Sequence, residues 1–147
     1  MKENCIFCND EFEHASIKKY NYWDLQLFIN DQYYIGRSVA ILKSRHINNM
    51  LDLNIKERIE LFDFVLKDIN KALNSVFVPD LYNYTDEGND CEHLHIHIIP
   101  RYNKPVKFDG EAYIDEYWGQ TYSQNYSKIK LSKEKQNKLI SLIKNNI

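Results

Sequence analysis

Three histidines recur at every second position in the segment His-Leu-His-Ile-His-Ile-Ile-Pro, residues 93–100. Successive side chains of a β-strand point to opposite faces, so this strict alternation predicts a strand with two chemically different faces. We expect Leu94, Ile96 and Ile98 to face a hydrophobic core. The three imidazoles should line the opposite face at intervals of about 6.5–7 Å. This one segment therefore predicts a sheet with an apolar face and a face that carries reactive side chains.

The imidazole face has three interpretations from its residues alone. It is the polar side of a half-buried strand, a metal site, or a site of covalent catalysis, because neutral imidazole is both a metal ligand and a good nucleophile. His93 and His97 lie about 13 Å apart along a strand, which is too far for both to bind one zinc ion. The three rings are therefore expected to have different roles. In the catalytic interpretation one ring attacks phosphorus while a neighbour donates hydrogen bonds to the phosphate.

The remaining sequence predicts helices before and after a set of locally paired strands. Extended segments are predicted at 22–29, 38–42, 81–84 and 92–101. A long helix is predicted over 54–75, where Asn54 and Glu57 match the capping-box pattern, and a C-terminal helix over 132–145. This order predicts an α+β fold, in which an antiparallel sheet has the long helix and the C-terminal helix packed on one face.

The long helix is predicted to bury one apolar stripe. Apolar residues recur in it at alternating steps of four and three, which places them on one helical face. They are Ile55, Ile59, Phe62, Leu66, Ile69, Leu73 and Val76. Charged side chains, Glu60 among them, are assigned to the solvent-exposed face.

Length and charge limit the classes of protein and of partner. A chain of 147 residues is long enough for one core and too short for two, so we expect a single domain, 1–147, with its core at about 5–102 and an aromatic-rich extension and C-terminal helix at 103–147. The net charge of −2 disfavours nucleic acid or an anionic membrane as the partner. No apolar run approaches the roughly 18 residues of a membrane span, and the first ten residues lack the apolar stretch of a secretory signal. A cytoplasmic location is therefore expected.

The histidine segment, followed directly by Pro100 and Arg101, resembles the signature of the histidine-triad (HIT) family of nucleotide hydrolases and transferases. Segment 36–46, the helix that follows residues 51–53, and the Gly88-Asn89 pair are similar to family elements in the same order. The resemblance covers most of 5–102 and implies a HIT-like fold and a homodimer. One departure is that Gly36 is followed by Arg37, where the family usually has His.

The resemblance also implies roles for individual residues. His95 would attack the α-phosphorus of a nucleotide, and His97 would contact the phosphate or the leaving group. Asn30 is expected at the ribose hydroxyls, and Asn83 and Asn89 at the phosphate oxygens. The tyrosine-rich segment, residues 113–126, is expected to pack across the sheet or at a dimer interface, or to offer Trp118 for stacking of a nucleobase.

These roles imply a nucleotide phosphohydrolase, or a nucleotidyl transferase, that works through a covalent nucleotidyl-histidine. Dinucleoside polyphosphates and nucleoside phosphoramidates are the substrates that the resemblance implies, and the chemical step is expected to need no metal. Two alternatives remain open. One is a non-enzymatic zinc- or nucleotide-binding module, and the other is a metalloenzyme in which two of the triad histidines hold a catalytic ion.

Cys5 and Cys8 form a Cys-x-x-Cys pair. The spacing alone leaves three interpretations open: a zinc site, a redox pair and two plain thiols. A thioredoxin-like pair would need a βαβ unit around it, and none is predicted. The resemblance implies a structural zinc ion bound by Cys5, Cys8, His46 and His93, which would fix the strand that carries the nucleophile.

Overall fold

The computed structural model describes residues 4–147, and its largest element is a five-stranded antiparallel sheet. Its strands are β1 (Ser16–Lys19), β2 (Trp23–Leu27), β3 (Ser38–Leu42), β4 (Leu81–Thr85) and β5 (His95–Arg101), in the order β1-β2-β3-β5-β4. A short hairpin of β6 (Val106–Phe108) and β7 (Glu111–Tyr113) lies in a region whose sequence indicates irregular structure. The predicted α+β fold is confirmed, with β1 as an additional strand.

The predicted helices are both present. The long helix consists of α1 (Ile55–Glu60), a π-helical turn (Leu61–Val65) and α2 (Leu66–Val76). It begins with the predicted capping box between Asn54 and Glu57. The C-terminal helix, α3 (Lys133–Lys144), is capped by the hydroxyl of Ser132. Within residues 4–147, no helix combines the length and the apolar character that crossing a membrane requires.

The long helix does not bury the whole predicted stripe. Ile69 and Leu73 are fully buried, but Ile55, Ile59 and Phe62 at the N-terminal end are 64%, 46% and 55% exposed. Leu61 and Val65 occupy the buried positions instead. A π-helical turn holds more residues than an α-helical one, so it rotates the helical face on one side of it relative to the other. The stripe is therefore split into a buried half and an exposed half.

Glu60 is also placed differently from its prediction. Its side chain is on the buried side of the helix, where its carboxylate accepts hydrogen bonds from the backbone N–H groups of Asn21, Tyr22 and Trp23 at 2.6–3.2 Å. These groups lie in the turn between β1 and β2 and at the first residue of β2. The carboxylate therefore joins the long helix to the β1–β2 turn instead of facing solvent.

The two faces of β5 differ as the alternation predicts. Leu94, Ile96 and Ile98 are at most 3% exposed and pack in the main core with the long helix and α3. This core includes residues from Ala15 to Ile143. The opposite face of β5 carries His95 and His97 and is covered by loops. The single-domain organisation stays a prediction.

Candidate functional site

A cleft of about 390 Å³ lies on the histidine face of the sheet. Side chains of β2, β3 and β5 form its floor, and His95 and His97 are among them. Phe7 and Phe12 of the N-terminal loop line one wall, and Gln124 of the C-terminal segment lines another. The turn after β2 and the loop before β5 also line it, so the cleft is built from the sheet and several loop segments.

His95 is fixed by its own strand. Its Nδ1–H donates to the backbone carbonyl of His93 at 2.6 Å, in a buried hydrogen bond. Among the described residues, the opposite ring nitrogen, Nε2, has no hydrogen-bond partner, and the ring lines the cleft. A neutral imidazole that donates through Nδ1 keeps its lone pair on Nε2. The ring is therefore held in the tautomer that a nucleophile requires.

His97 lies next to His95, with ring centroids 5.2 Å apart, and meets the ring of Phe28 edge-on at 5.0 Å. Burial lowers the pKa of His97 to about 3, and the positive charge of Arg37 and the neighbouring His95 contribute in the same direction. The imidazole is therefore neutral at physiological pH. A neutral ring in this position can donate a hydrogen bond to a phosphate but carries no positive charge of its own.

Arg37 is a further cleft residue, and its surroundings were not predictable from the sequence. Its side chain is 4% exposed and forms an ion pair with Asp31 at 3.3 Å. The guanidinium also lies over the ring of Phe28, 4.4 Å from the centroid. Asp31 accepts further hydrogen bonds from Tyr126 and from the backbone of Tyr33. The only signal of this residue in the sequence is that Arg37 stands where the histidine-triad family usually has a histidine.

The four other predicted substrate ligands lie in different places. Asn30 is exposed and lines the cleft. Asn83 and Trp118 line a second cavity, where Asn83 accepts a hydrogen bond from Arg101. Asn89 is exposed beside the cysteine loop. The structure thus brings Asn30 to the same cleft as His95, and it does not bring Asn83, Asn89 or Trp118 there, so their roles stay predictions.

A cluster of tyrosines separates the cleft from the second cavity. Residues of β5 on the histidine face follow each other as His97, Ile99 and Arg101. Ile99 is covered by tyrosines of two chain segments, and Arg101 lines the second cavity. These tyrosines are Tyr33, Tyr34, Tyr117, Tyr122 and Tyr126. The tyrosine-rich segment therefore packs across the sheet.

The four predicted zinc ligands form a compact cluster. The side-chain ligand atoms of Cys5, Cys8, His46 and His93 all lie within 4.8 Å of one another. The two Nδ1 atoms are 3.2 Å apart, and the three measured sulfur–nitrogen distances are 3.4–3.5 Å. A tetrahedral zinc ion has bonds of about 2.3 Å to sulfur and about 2.0 Å to nitrogen. These bonds require about 3.3 Å between the two nitrogens and about 3.5 Å between a sulfur and a nitrogen. These four distances fit a tetrahedral Cys₂His₂ site, and the other two ligand–ligand distances are at most 4.8 Å.

The protonation chemistry of this cluster also fits a metal. His93 donates its Nε2–H to the backbone carbonyl of Leu42, which leaves the lone pair on Nδ1, the atom that faces the cysteines. Burial raises the pKa of the Cys5 thiol, but hydrogen bonds from Cys8 and Phe7 outweigh this effect and leave the pKa lowered. Thiolate and neutral imidazole are the forms that bind zinc.

The cluster and the cleft are connected through one residue. The ring of His93 belongs to the cluster, and its carbonyl oxygen accepts the hydrogen bond from His95. A ligand that holds the ring of His93 therefore also restrains the group that orients His95.

The fold and this site resemble those of histidine-triad proteins. The family model of the HIT domain matches residues 36–104. The structure is similar to a hypothetical histidine triad nucleotide-binding protein from Sulfolobus tokodaii strain7, with 20% identity, coverage of 97% of this chain and 91% of that chain, and a TM-score of 0.73. A HIT family protein from Bacillus anthracis matches with 22% identity, coverage of 100% and 99%, and a TM-score of 0.59.

A third similar structure is a zinc-bound histidine triad family protein from Mycobacterium smegmatis, with 16% identity, coverage of 97% and 94%, and a TM-score of 0.63. No curated protein matches the chain at a significant level. The structural likenesses, at these identities, establish the fold. Residues 36–104 are therefore similar to the HIT domain, and the chain as a whole shares the fold of histidine-triad proteins.

Proposed function

We propose that the protein is a nucleotide phosphohydrolase in which His95 attacks the α-phosphorus of a nucleotide. The observation that carries the proposal is the 2.6 Å hydrogen bond from His95 Nδ1 to the carbonyl of His93, which leaves Nε2 as the nucleophilic atom of a ring that lines the cleft. Dinucleoside polyphosphates and nucleoside phosphoramidates are the proposed substrate classes, because the resemblance to the histidine-triad family implies them.

The reaction proceeds in two displacements at the same phosphorus. The lone pair on His95 Nε2 forms a P–N bond while the bond from phosphorus to the leaving group breaks. Water then attacks the nucleotidyl-histidine, the P–N bond breaks, and a nucleoside monophosphate leaves. His97, next to His95, donates a hydrogen bond to a phosphoryl oxygen or to the leaving group. Asn30, at the cleft margin, contacts the ribose hydroxyls. An acceptor other than water would make the same site a nucleotidyl transferase.

We also propose that Cys5, Cys8, His46 and His93 bind a structural zinc ion. The fit of their distances to a tetrahedral site supports this, as does the hydrogen bond that orients His93. All four ligand positions are then filled by protein, so the ion takes no part in the chemical step. The resident ion would stabilise the contact of the N-terminal loop with the strand that carries His95.

We propose in addition that two copies of the chain associate through the exposed half of the helix stripe. Large apolar side chains are exposed there and in the 3₁₀ turn Met50–Asp52 before the helix, next to β4, which is an edge strand. They are Met50, Leu51, Ile55, Ile59, Phe62 and, on β4, Tyr84. The particle mass in solution is therefore expected to be near twice the chain mass of 17.6 kDa. Ile59→Glu should reduce it to the monomer value, whereas Ile114→Glu, a similarly exposed apolar position elsewhere, should not.

The cytoplasmic location stays a prediction.

The hydrolase proposal is tested with His95→Asn and the matched control His14→Asn, which replaces an exposed histidine. Each protein is incubated with ATP, a diadenosine polyphosphate and an adenosine phosphoramidate, and release of AMP is measured by chromatography. Rapid quenching at neutral or alkaline pH and mass spectrometry then locate any nucleotidyl adduct, because the P–N bond is acid-labile. The wild type and His14→Asn should turn over substrate, with the adduct on His95.

Loss of turnover in His95→Asn with retained nucleotide binding supports covalent catalysis. Nucleotide binding by the wild type without release of AMP from any of the three substrates would contradict it, and would favour the non-enzymatic binding module. Activity that disappears immediately on chelation, while the fold persists, would instead favour a catalytic metal.

A further inference from the structure

Two buried polar atoms without partners lie on the same face of the sheet. Among residues 4–147, four buried side-chain nitrogen or oxygen atoms lack a hydrogen-bond partner, and two of them are Arg37 Nε and His97 Nδ1. Both side chains line the cleft. A buried polar atom that stays unpaired destabilises the fold, so such atoms in native proteins generally have a partner.

The register of the sheet brings these two residues together. Val39 of β3 pairs with His97 of β5, and Arg37 is two residues before Val39, so it faces the same side. The ring of Phe28 touches both: the guanidinium of Arg37 lies over its face at 4.4 Å, and His97 meets it at 5.0 Å. The ion pair with Asp31 holds the guanidinium in this position.

The chemistry of the two atoms is complementary. Arginine Nε–H is always a donor, whereas a neutral imidazole nitrogen is either a donor or an acceptor, depending on the tautomer. A hydrogen bond donated by Arg37 Nε–H to His97 Nδ1 would give both atoms a partner. This bond forms only if Nδ1 carries no proton, because a protonated nitrogen cannot accept. The two atoms do not form a direct hydrogen bond, so a side-chain rotation or a bridging water is needed to join them.

We propose that Arg37 is a positioning residue for His97, whose Nδ1 it keeps unprotonated so that the imidazole presents Nε2–H to the substrate. The lowered pKa of His97 agrees with this arrangement, because the positive charge of Arg37 opposes protonation. The functional consequence rests on the proposed hydrolase activity. A neutral His97 then donates a hydrogen bond to the phosphoryl group and transfers no proton.

Other charged groups around the cleft define the controls. His95 is next to His97 on β5, and the remaining groups come from the N-terminal loop, the turn after β2, the loop before β5 and the C-terminal segment. They are Glu13, Asp31, Glu87, Asp90 and Lys128. Lys128 is the matched control, because it is a cleft cation like Arg37 but is exposed.

The tautomer is measured by two-dimensional ¹H–¹⁵N spectroscopy of the full chain labelled with ¹⁵N-histidine, without substrate. The His97 signals are identified by their loss in His97→Gln. In the wild type, we expect an unprotonated Nδ1 and a protonated Nε2 throughout about pH 5–8. Arg37→Met should populate the other tautomer and raise the apparent pKa of His97, which is followed by extending the titration below pH 5. Lys128→Met should change neither.

Arg37→Gln serves as a conservative variant, because its amide N–H₂ is a neutral donor. Arg37→Gln should keep the wild-type tautomer of His97 while the pKa of His97 rises. This variant also tests the proposal if Arg37→Met does not fold. A proton on Nδ1 in the wild type, or an unchanged tautomer and pKa in both Arg37 variants, would overturn the proposal. These spectra do not depend on turnover, so their outcome is independent of the hydrolase test. If the enzyme is active, kcat/KM should fall in Arg37→Met by on the order of 100-fold, as for a misplaced catalytic group.

Discussion

Replacing Glu57 with Gln is expected to destabilise the protein strongly at neutral pH and much less in acid. Glu57 is 1% exposed and joins the start of the long helix to the loop that carries His46. Its carboxylate accepts hydrogen bonds from Arg45 at 2.7 and 3.0 Å, from the hydroxyl of Ser44 at 2.7 Å and from the backbone of Asn54 at 2.9 Å. These contacts favour the charged form of the carboxyl group.

The magnitude follows from the pKa of Glu57. The hydrogen bonds from Arg45, opposed by burial and assisted by those from Asn54 and Ser44, lower this pKa from 4.5 to about 2. Such a decrease corresponds to about 3 kcal/mol of folding free energy. Because the folded-state pKa is the lower one, this stabilisation is complete above pH 4.5 and decreases as the pH falls from 4.5 towards 2. About 2 kcal/mol of it should be lost at pH 3.

The measurement is urea unfolding of the wild type and Glu57→Gln at several pH values between 7 and 3, with equal zinc content. Tryptophan fluorescence is a suitable signal, since the indole N–H of buried Trp23 donates to the carbonyl of Glu57 at 2.9 Å. The difference in unfolding free energy between the two proteins should decrease by about 2 kcal/mol from pH 7 to pH 3. Glu134→Gln, at an exposed helix position, is the control. A Glu57→Gln difference that stays constant over this range would refute the reasoning.

Three further changes give separate predictions. Gly36→Ala should lower the free energy of unfolding, measured in urea, by about 2–3 kcal/mol. Gly36 has a φ of +90°, and a Cβ there would lie 2.7 Å from the side chain of Leu73. An unchanged urea midpoint would contradict this packing. Val78→Gly should raise the melting temperature and increase the free energy of unfolding by about 1 kcal/mol. Val78 is an exposed β-branched residue with a φ of +53° at the end of α2. A lower melting temperature would argue against backbone strain at this position. Cys8→Ser should reduce bound zinc, measured by mass spectrometry of the metal, well below one ion per chain, while Cys91→Ser should retain it; equal zinc in both would exclude the proposed ligand set.

The elements that the sequence predicts correctly are those whose pattern is local. The alternation of histidines with Leu94, Ile96 and Ile98 predicts the two faces of β5, and Asn54 with Glu57 predicts the start of the long helix. Each pattern needs only the geometry of one strand or one helical turn. The resemblance to the family adds the proposed nucleophile and the proposed set of zinc ligands, and the structure brings the four ligand side chains together.

The sequence misleads where a contact with another element decides the outcome. The stripe of the long helix is apolar throughout, and only the π-helical turn determines that Ile55 and Ile59 face outward. Glu60 looks like a surface charge until the β1–β2 turn supplies three backbone donors. Trp118 and Asn83 are far apart in the sequence, and only the structure shows that they line the same second cavity, so their predicted roles stay predictions.

The sequence alone determined the alternation, the caps and the residue types that can bind zinc or attack phosphorus, because these depend on covalent spacing along one segment. Tertiary structure decided which groups meet: His46 with Cys8, and Arg37 with Phe28 beside His97. Such meetings depend on strand register and loop packing between residues distant in the chain. The electrostatic environment of each imidazole, which sets its tautomer and charge, exists only after those parts have assembled.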